Sequence, residues 1–264
     1  MYTMDLMVPE LAYFFGFAQT DGHLRQGTRN RGSLSIGLSS KDRWILEQFV
    51  PLIPFNSSVH DRVADTNFKA AYHSSTLTVH ALEFRTELNR LGIPYGRKSH
   101  LVNYPSAPCS EVDYFRGVID ADGALGITGK GFPFMSVVFV NEGLAYTYIA
   151  FLSKLLGKTK TTSRDKDGLF HLSVYKEDAQ LLANTLYYTG CLALPRKVAK
   201  AREVSAWVRP VNMLLKPAQP RWTAAEDNFI VNKSLEEAVA TLQRTEKSIR
   251  TRLVVLGSNV RHTI

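Results

Sequence analysis

The chain repeats itself, and this limits its fold more than any other feature. Residues 10–24 (ELAYFFGFAQTDGHL) align without a gap on residues 111–125 (EVDYFRGVIDADGAL), and seven of the fifteen pairs are identical. Ordinary composition gives about one identity by chance. The identical pairs include Gly16/Gly117, Asp21/Asp122 and Gly22/Gly123. The two copies also end alike, around Arg97-Lys98 and Arg196-Lys197. Self-similarity at a fixed spacing points to one supersecondary unit used twice.

Each copy has the same order of patterns. An apolar helix opens it, with Pro9 in the first turn of the first copy. The helix is expected to stop at Asp-Gly, with Gly22 and Gly123 in the left-handed conformation. SLSIGL and MSVVFV then alternate as strands, after turns at RNRG and GKGFP. A helix follows (DRWILEQFVPLI; GLAYTYIAFLSKLLG), then a second strand pair, with an Asp167-Gly168 hairpin signal in the second copy. A last helix closes each copy (TLTVHALEFRTELNRLG; EDAQLLANTLYYTG). The expected class is α+β, with αββαββα written twice over residues 1–105 and 106–205.

Three prolines then mark residues 206–220 as a linker: Pro210, Pro217 and Pro220. Residues 221–257 read as three short helices. The first carries a capping box, Thr223 with Glu226. The third starts near Thr245. Charge is concentrated here: residues 196–264 hold 13 Lys/Arg and 6 Asp/Glu, whereas residues 1–195 hold 19 and 18. A basic end on a near-neutral body suits a polyanionic partner, nucleic acid before membrane. Cys109 and Cys191 stand far apart without CxxC, which fits buried free thiols in a reducing compartment and excludes a cysteine zinc site. The first residues lack the marks of a signal peptide, and no apolar run reaches spanning length. An intracellular protein of the cytoplasm or nucleoid is expected, and no phosphate-binding GxxxxGK[ST] loop is present.

Small residues recur every fourth position in the opening helices: Ala12, Gly16 and Thr20, then Gly117 and Ala121, with Asp113 breaking the second row. Glycine inside a helix costs about 1 kcal/mol relative to alanine, so close approach of two backbones is the natural return. Packing on these stripes would set Asp21 beside Asp122 at the negative ends of two helix dipoles. Paired carboxylates repel unless a cation intervenes, and Mg²⁺ or Mn²⁺ suits an all-oxygen site. Taken one at a time, each aspartate reads as a helix C-terminal turn residue; two in matching repeats with matching glycine stripes favour the paired site. On the extended segments, His23, Arg25, Arg29 and Arg31 share one parity, and Lys158, Lys160, Thr162, Arg164 and Lys166 share another. Each set gives a polar, largely basic face suited to DNA.

FRGVIDADG, from Phe115, resembles the signature of the two-motif, monomeric LAGLIDADG homing endonucleases, and FFGFAQTDG, from Phe14, resembles a degenerate first copy. The resemblance covers residues 1 to about 205. It implies a saddle of two sheets over the DNA major groove, double-strand cleavage, and metal ligation by Asp21 and Asp122. It also implies assisting roles for Lys98 and Lys197 and, more weakly, for Ser39 and Asn141. Gln19 departs from the family, which usually carries an acid there. Residues 221–257 resemble a Myb/SANT-like helix-turn-helix through Trp222, Thr223 to Asp227 and LQRTEKSIRTRL. Arg244, Thr245, Lys247, Arg250 and Arg252 would then touch DNA. The expected activity is site-specific endonuclease cleavage of double-stranded DNA by a monomer that requires no protein partner and no membrane. A cleavage-inactive maturase or transcription regulator on the same fold is the alternative, and retention of both aspartates argues against it.

Overall fold

A computed structural model of the chain describes residues 2–65, 71–98, 100–211, 213 and 222–257. It divides into two compact units, Met1–Arg209 and Pro210–Ile264.

The first unit opens with α1 (Pro9–Asp21), which has Pro9 in its first turn. Tyr13, Phe14, Phe15 and Phe17 are all fully buried, so this helix is surrounded on every side. Next come β1 (Gly22–Arg25), β2 (Ser33–Ser39), α2 (Arg43–Phe49), β3 (Ser57–Ala64), β4 (Tyr72–Val79) and α3 (Leu82–Leu91). The strands form an antiparallel sheet in the order β1-β2-β4-β3. Leu34, Ile36, Leu77 and Val79 point to the core from one face.

The second half runs α4 (Glu111–Asp122), β5 (Ala124–Ile127), β6 (Pro133–Phe139), α5 (Glu142–Leu156), β7 (Phe170–Tyr175), α6 (Glu177–Leu186) and α7 (Pro195–Ser205). Its antiparallel sheet has three strands, β5-β6-β7. The expected partner strand over residues 158–166 is reduced to a single bridge between Arg164 and Phe170. Three of its cations are engaged instead: Lys158 and Lys160 with Asp178 at 2.6 and 3.0 Å, and Arg164 with Glu142 at 3.0 Å. The Asp167-Gly168 turn does form, with Gly168 at φ +78°.

α7 is a further departure from the expected plan. Pro195 sits in its first turn directly before Arg196-Lys197. In the first half two residues, Tyr95 and Gly96, separate Pro94 from Arg97-Lys98, and Gly96 takes φ +75°. A left-handed residue there blocks the helix that Pro195 starts in the second half.

α1 and α4 pack at backbone distance. A Cβ on Gly16 would lie 2.2 Å from the Tyr114 carbonyl oxygen, and one on Gly117 would lie 2.2 Å from that of Tyr13. Gly22 and Gly123 are not left-handed; both are extended, at φ −76° and −79°. Glycine is required there because a Cβ would strike the carbonyl oxygen of Ala18 at 2.3 Å or of Ile119 at 2.7 Å. The chain therefore leaves each helix straight into a strand.

The second unit contains α8 (Ala224–Asn232), α9 (Leu235–Leu242) and α10 (Glu246–Val255) around Ile230, Ala238 and Ile249. Thr223 with Glu226 and Ser234 with Glu237 form capping boxes, and Thr245 caps α10. Pro217, Pro220 and most of the proposed linker lie outside the described residues, whereas the chain up to Arg209 stays tied to the first unit. Gln180 Nε2 donates to the carbonyls of Ser205 and Trp207, and Arg209 pairs with Glu177 at 2.5 Å. Among the described residues no helix is long and apolar enough to cross a membrane. Cys109 and Cys191 are free but only partly buried, less enclosed than expected, since each lies on a connecting segment and not on a core face.

Candidate active site

Because α1 and α4 touch through their glycines, their C-terminal ends bring Asp21 and Asp122 together. Burial raises the Asp21 pKa to about 6, with the Asp122 charge adding to it, while Lys98, Arg196 and Lys197 pull the other way. Asp122 is more open, and burial raises its pKa too, against Lys98 and Lys197. Among the described residues neither carboxylate accepts a hydrogen bond. Desolvation without hydrogen-bond donors disfavours the charged form of both acids, despite the cations nearby.

Two lysines flank them in matching positions. Lys98 Nζ donates to the carbonyls of Ala18 (3.3 Å) and Gly22; Lys197 Nζ donates to those of Ile119 (3.0 Å) and Gly123. Each lysine thus ties the last turn of a helix to the residue just beyond its aspartate. Helix C-termini leave carbonyls unpaired, and a cation there also answers the dipole. Burial lowers the Lys98 pKa to about 8, opposed by Asp21 and Asp122. Burial likewise lowers that of Lys197.

Two residues before each aspartate, the helices interlock. Tyr13 OH donates to Asp120 at 2.7 Å, and Tyr114 OH donates to Gln19. Asp120 also accepts from Tyr187 OH (2.7 Å) and from the Leu194 amide (2.6 Å). Its pKa is raised by burial, with those three donors holding it back. Gln19 Nε2 donates to the carbonyls of Gly92 (2.8 Å) and Asn103 (2.9 Å). The unexpected glutamine is a fully bonded packing residue.

A cavity of about 110 Å³ beside Asp122 is lined by Gln19, Thr20, Lys98 and Asn141 among others. Asn141 caps α5, and its Nδ2 donates to the His100 carbonyl at 2.8 Å. Ser39 ends β2 and does not line this cavity. Arg196 pairs with Asp42 at 2.9 Å, linking the two halves near the acids.

The proposed DNA-facing residues fare unevenly. His23 and Arg25 are exposed on β1. Arg29 and Arg31 lie in a 3-10 turn after that strand, so strand alternation does not apply to them. The turn is held from beneath by Arg85, a fully buried arginine that donates to the carbonyls of His80, Arg25, Gly27 and Arg29. Lys158, Lys160, Thr162, Arg164 and Lys166 lie on irregular chain, so they do not share one strand face. In the second unit Arg244 stacks 4.1 Å from the Trp222 ring and pairs with Glu226, and Arg252 pairs with Asp227 at 2.6 Å. Both are therefore engaged within the unit. Thr245 is spent on the α10 cap, Arg250 pairs with Glu246 along the helix, and Lys247 is exposed.

Sequence patterns did not single out Arg85 or Arg116. Arg116 lies between the rings of Tyr13 and Tyr188 (5.2 and 5.1 Å) and pairs with Asp113 at 2.6 Å. The one available signal for it is an arginine three residues after Asp113 on the same helix.

No protein-family model matches the sequence, and no curated protein matches it. Among solved structures the chain is similar to the homing endonuclease I-WcaI bound to its DNA recognition sequence, with a TM-score of 0.52 and 10% identity over 76% of this chain and 88% of that one. It is similar to the same degree to the I-LtrWI LAGLIDADG homing endonuclease bound to target DNA, with a TM-score of 0.50 and 10% identity over 75% and 88%. At that identity the likeness establishes the fold: a mixed α/β arrangement with two antiparallel sheets of the LAGLIDADG kind.

Proposed function

We propose that this chain is a metal-dependent DNA endonuclease that cuts both strands of a specific site, as a monomer. The observation that carries this reading is the meeting of a half-buried Asp21 and a more open Asp122, one from each repeat and neither with a hydrogen-bond donor among the described residues. That solved structures of the same fold are homing endonucleases bound to DNA supports the choice of substrate.

The residues fit a hard divalent ion. Two carboxylates supply oxygen ligands, and Asp21 takes up a proton near pH 6 when no cation is present. No cluster of three or more acidic, histidine or cysteine side chains occurs among the described residues, so the remaining ligands would be phosphate oxygens, carbonyls and water. A bound Mg²⁺ or Mn²⁺ supplies charge neutralisation at the scissile phosphate and a lowered pKa for bound water. Asp21 and Asp122 hold their positions because the helix ends behind them are tied down by Lys98 and Lys197. The two ammonium groups add positive potential toward an incoming phosphate. Ser39 and Asn141 are assigned lesser parts, and Asn141 has the better claim because it lines the cavity beside Asp122.

The outer faces of the two sheets would lie on the DNA, with His23 and Arg25 among the contacts. The second unit is assigned an auxiliary Myb-like role in which Lys247 and Arg250 face phosphates, while Arg244 and Arg252 hold α10 in place. Sequences bound by the full chain, selected from random duplexes, provide the substrate for the test. Incubation with Mg²⁺ should cut both strands, and EDTA should abolish the cut. Selected DNA that stays intact with both Mg²⁺ and Mn²⁺ would overturn the nuclease reading. A chain ending at Arg209 should still cut, with the binding slope against log salt reduced by about 0.9 for each phosphate that the second unit neutralises in the full chain. An unchanged slope would remove the second unit from the DNA.

A further inference from the structure

The outer faces of the two sheets differ in chemistry. In the first sheet, strand register places Ser35, Thr78 and Ser58 in one row, Thr76 and His60 in the next, and Ser39, Ser74 and Arg62 in a third. The centre of that face is hydroxyl, imidazole and guanidinium. Tyr72 stands only at the far end of β4, the 56%-exposed Val63 lies near the far end of β3 in the register of the opposite face, and Leu34, Ile36, Leu77 and Val79 point to the core. In the second sheet the matching face carries Phe134 opposite Tyr175 and Val138 opposite His171, with Ser136 and Ser173 between them. Val138 and Tyr175 are 42% and 53% exposed; they stand toward the two ends of the strands, on either side of the central Ser136–Ser173 pair. Lys130 and Lys176 border Tyr175, and Lys200, paired with Glu203, reaches Gly126 and Phe134; His171 is paired with Asp165. Exposed apolar side chains beside Lys130 and Lys176, which form no ion pair among the described residues, suit a polyanion that presents apolar groups.

We infer that the two halves read their DNA half-sites by different chemistry, the second sheet through contacts to thymine methyl groups and the first through hydrogen bonds. This rests on the DNA reading above. In the major groove the thymine C5-methyl is the one apolar group displayed by a base pair, and apolar side chains are its natural partners. Hydroxyls and imidazoles meet the donors and acceptors of any base edge. The half-site under the second sheet is therefore rich in T·A pairs, and its specificity resides in Phe134, Val138 and Tyr175.

Uracil in place of thymine removes the methyl group and keeps the pairing groups, so it leaves protein folding out of the test. Sequences bound by the full chain are selected from random duplexes, and uracil is then placed throughout one half-site or the other. The expected result is a loss of about fourfold in affinity per buried methyl in one half-site, the scale of one buried carbon, and less than about twofold in total in the other. Val138→Ser, on an exposed position, should shrink the penalty in that half-site alone. Thr76→Ala should leave the penalty intact while relaxing base preference in the opposite half. Equal penalties in both halves, no penalty in either, or a penalty that survives Val138→Ser would overturn the inference while the DNA reading stands. Failure to select any sequence would overturn both.

Discussion

At the position two residues before its aspartate, the first half carries Gln19 and the second carries Asp120. Both side chains accept a hydrogen bond from a tyrosine on the opposing helix. What differs is the rest of the shell. Gln19 faces two carbonyls and needs a donor, which its amide provides. Asp120 faces only donors, Tyr187 OH and the Leu194 amide, and needs a second acceptor oxygen. Residue identity at this place is therefore set by the local backbone, while the shared task, holding α1 against α4, is met by one oxygen in each half. An acid is not required for that task, so the glutamine does not mark a dead half.

Three contrasts between the halves test this account. The largest concerns cleavage. Asp21→Asn and Asp122→Asn should each lower double-strand cutting by on the order of 10³-fold, the scale of several kcal/mol of charge stabilisation at the phosphate. Binding to selected DNA should stay within about threefold, because the groups that meet phosphates are untouched. Single-turnover assays on strand-labelled duplex would show whether each variant stops one strand or both; undiminished cutting by either variant removes that aspartate from the site.

The next contrast is at the interlock. Gln19→Glu should destabilise by about 3 kcal/mol, since a buried carboxylate would face two carbonyl oxygens. Asp120→Asn should cost only about 1 kcal/mol, because the Tyr187 hydroxyl can rotate to accept from the new amide. Urea unfolding of both variants checks the order, and a reversed order would break the argument from surroundings.

The smallest contrast is in pH dependence. Asp21 has a folded pKa of about 6 against an ordinary 3.8, so its contribution to stability is present below pH 3.8 and is lost as pH rises through 6. Without divalent ions, Asp21→Asn should raise Tm by about 2–4 °C at pH 8, after allowance for solvent screening, and leave it unchanged near pH 3.5. Asp122→Asn should show a smaller rise, because Asp122 is the more exposed. Calorimetric melts at the two pH values measure both, and a rise of equal size at both would assign the effect to packing.

Much of the core plan was legible because it is written twice. The helix openings and the element order of the first half follow from periodicity and turn residues, but the pattern puts the closing helix too early: Thr76–Val79 pair with β2 and β3 as the end of β4, and the helix starts at Leu82. The second half resisted at residues 158–166, where an alternating basic pattern looks like a strand. Lys158 and Lys160 instead find Asp178 on α6, a tertiary pairing that local alternation does not encode. The Asp-Gly pairs misled for a related reason. Glycine there answers a steric demand from the preceding turn, and composition alone does not separate that from a left-handed cap. Lys98 and Lys197 are placed by the repeat, but their bonds to helix-end carbonyls depend on how the chain returns to α1 and α4. Arg85 lies beyond sequence reasoning altogether, since three of the carbonyls it donates to lie 56 to 60 residues away in the chain.

The glycine contact between α1 and α4 acts as a caliper. The gap between the two helices is set by main-chain atoms on both sides, with no side chain at Gly16 or Gly117 to lengthen or shorten it. Under the proposed chemistry this fixes the separation of Asp21 and Asp122, and so the stagger between the two cuts. The sheets' outer faces lie elsewhere and carry none of that constraint. Mutation can then retune which sequence is bound without altering where, relative to its centre, the duplex is severed.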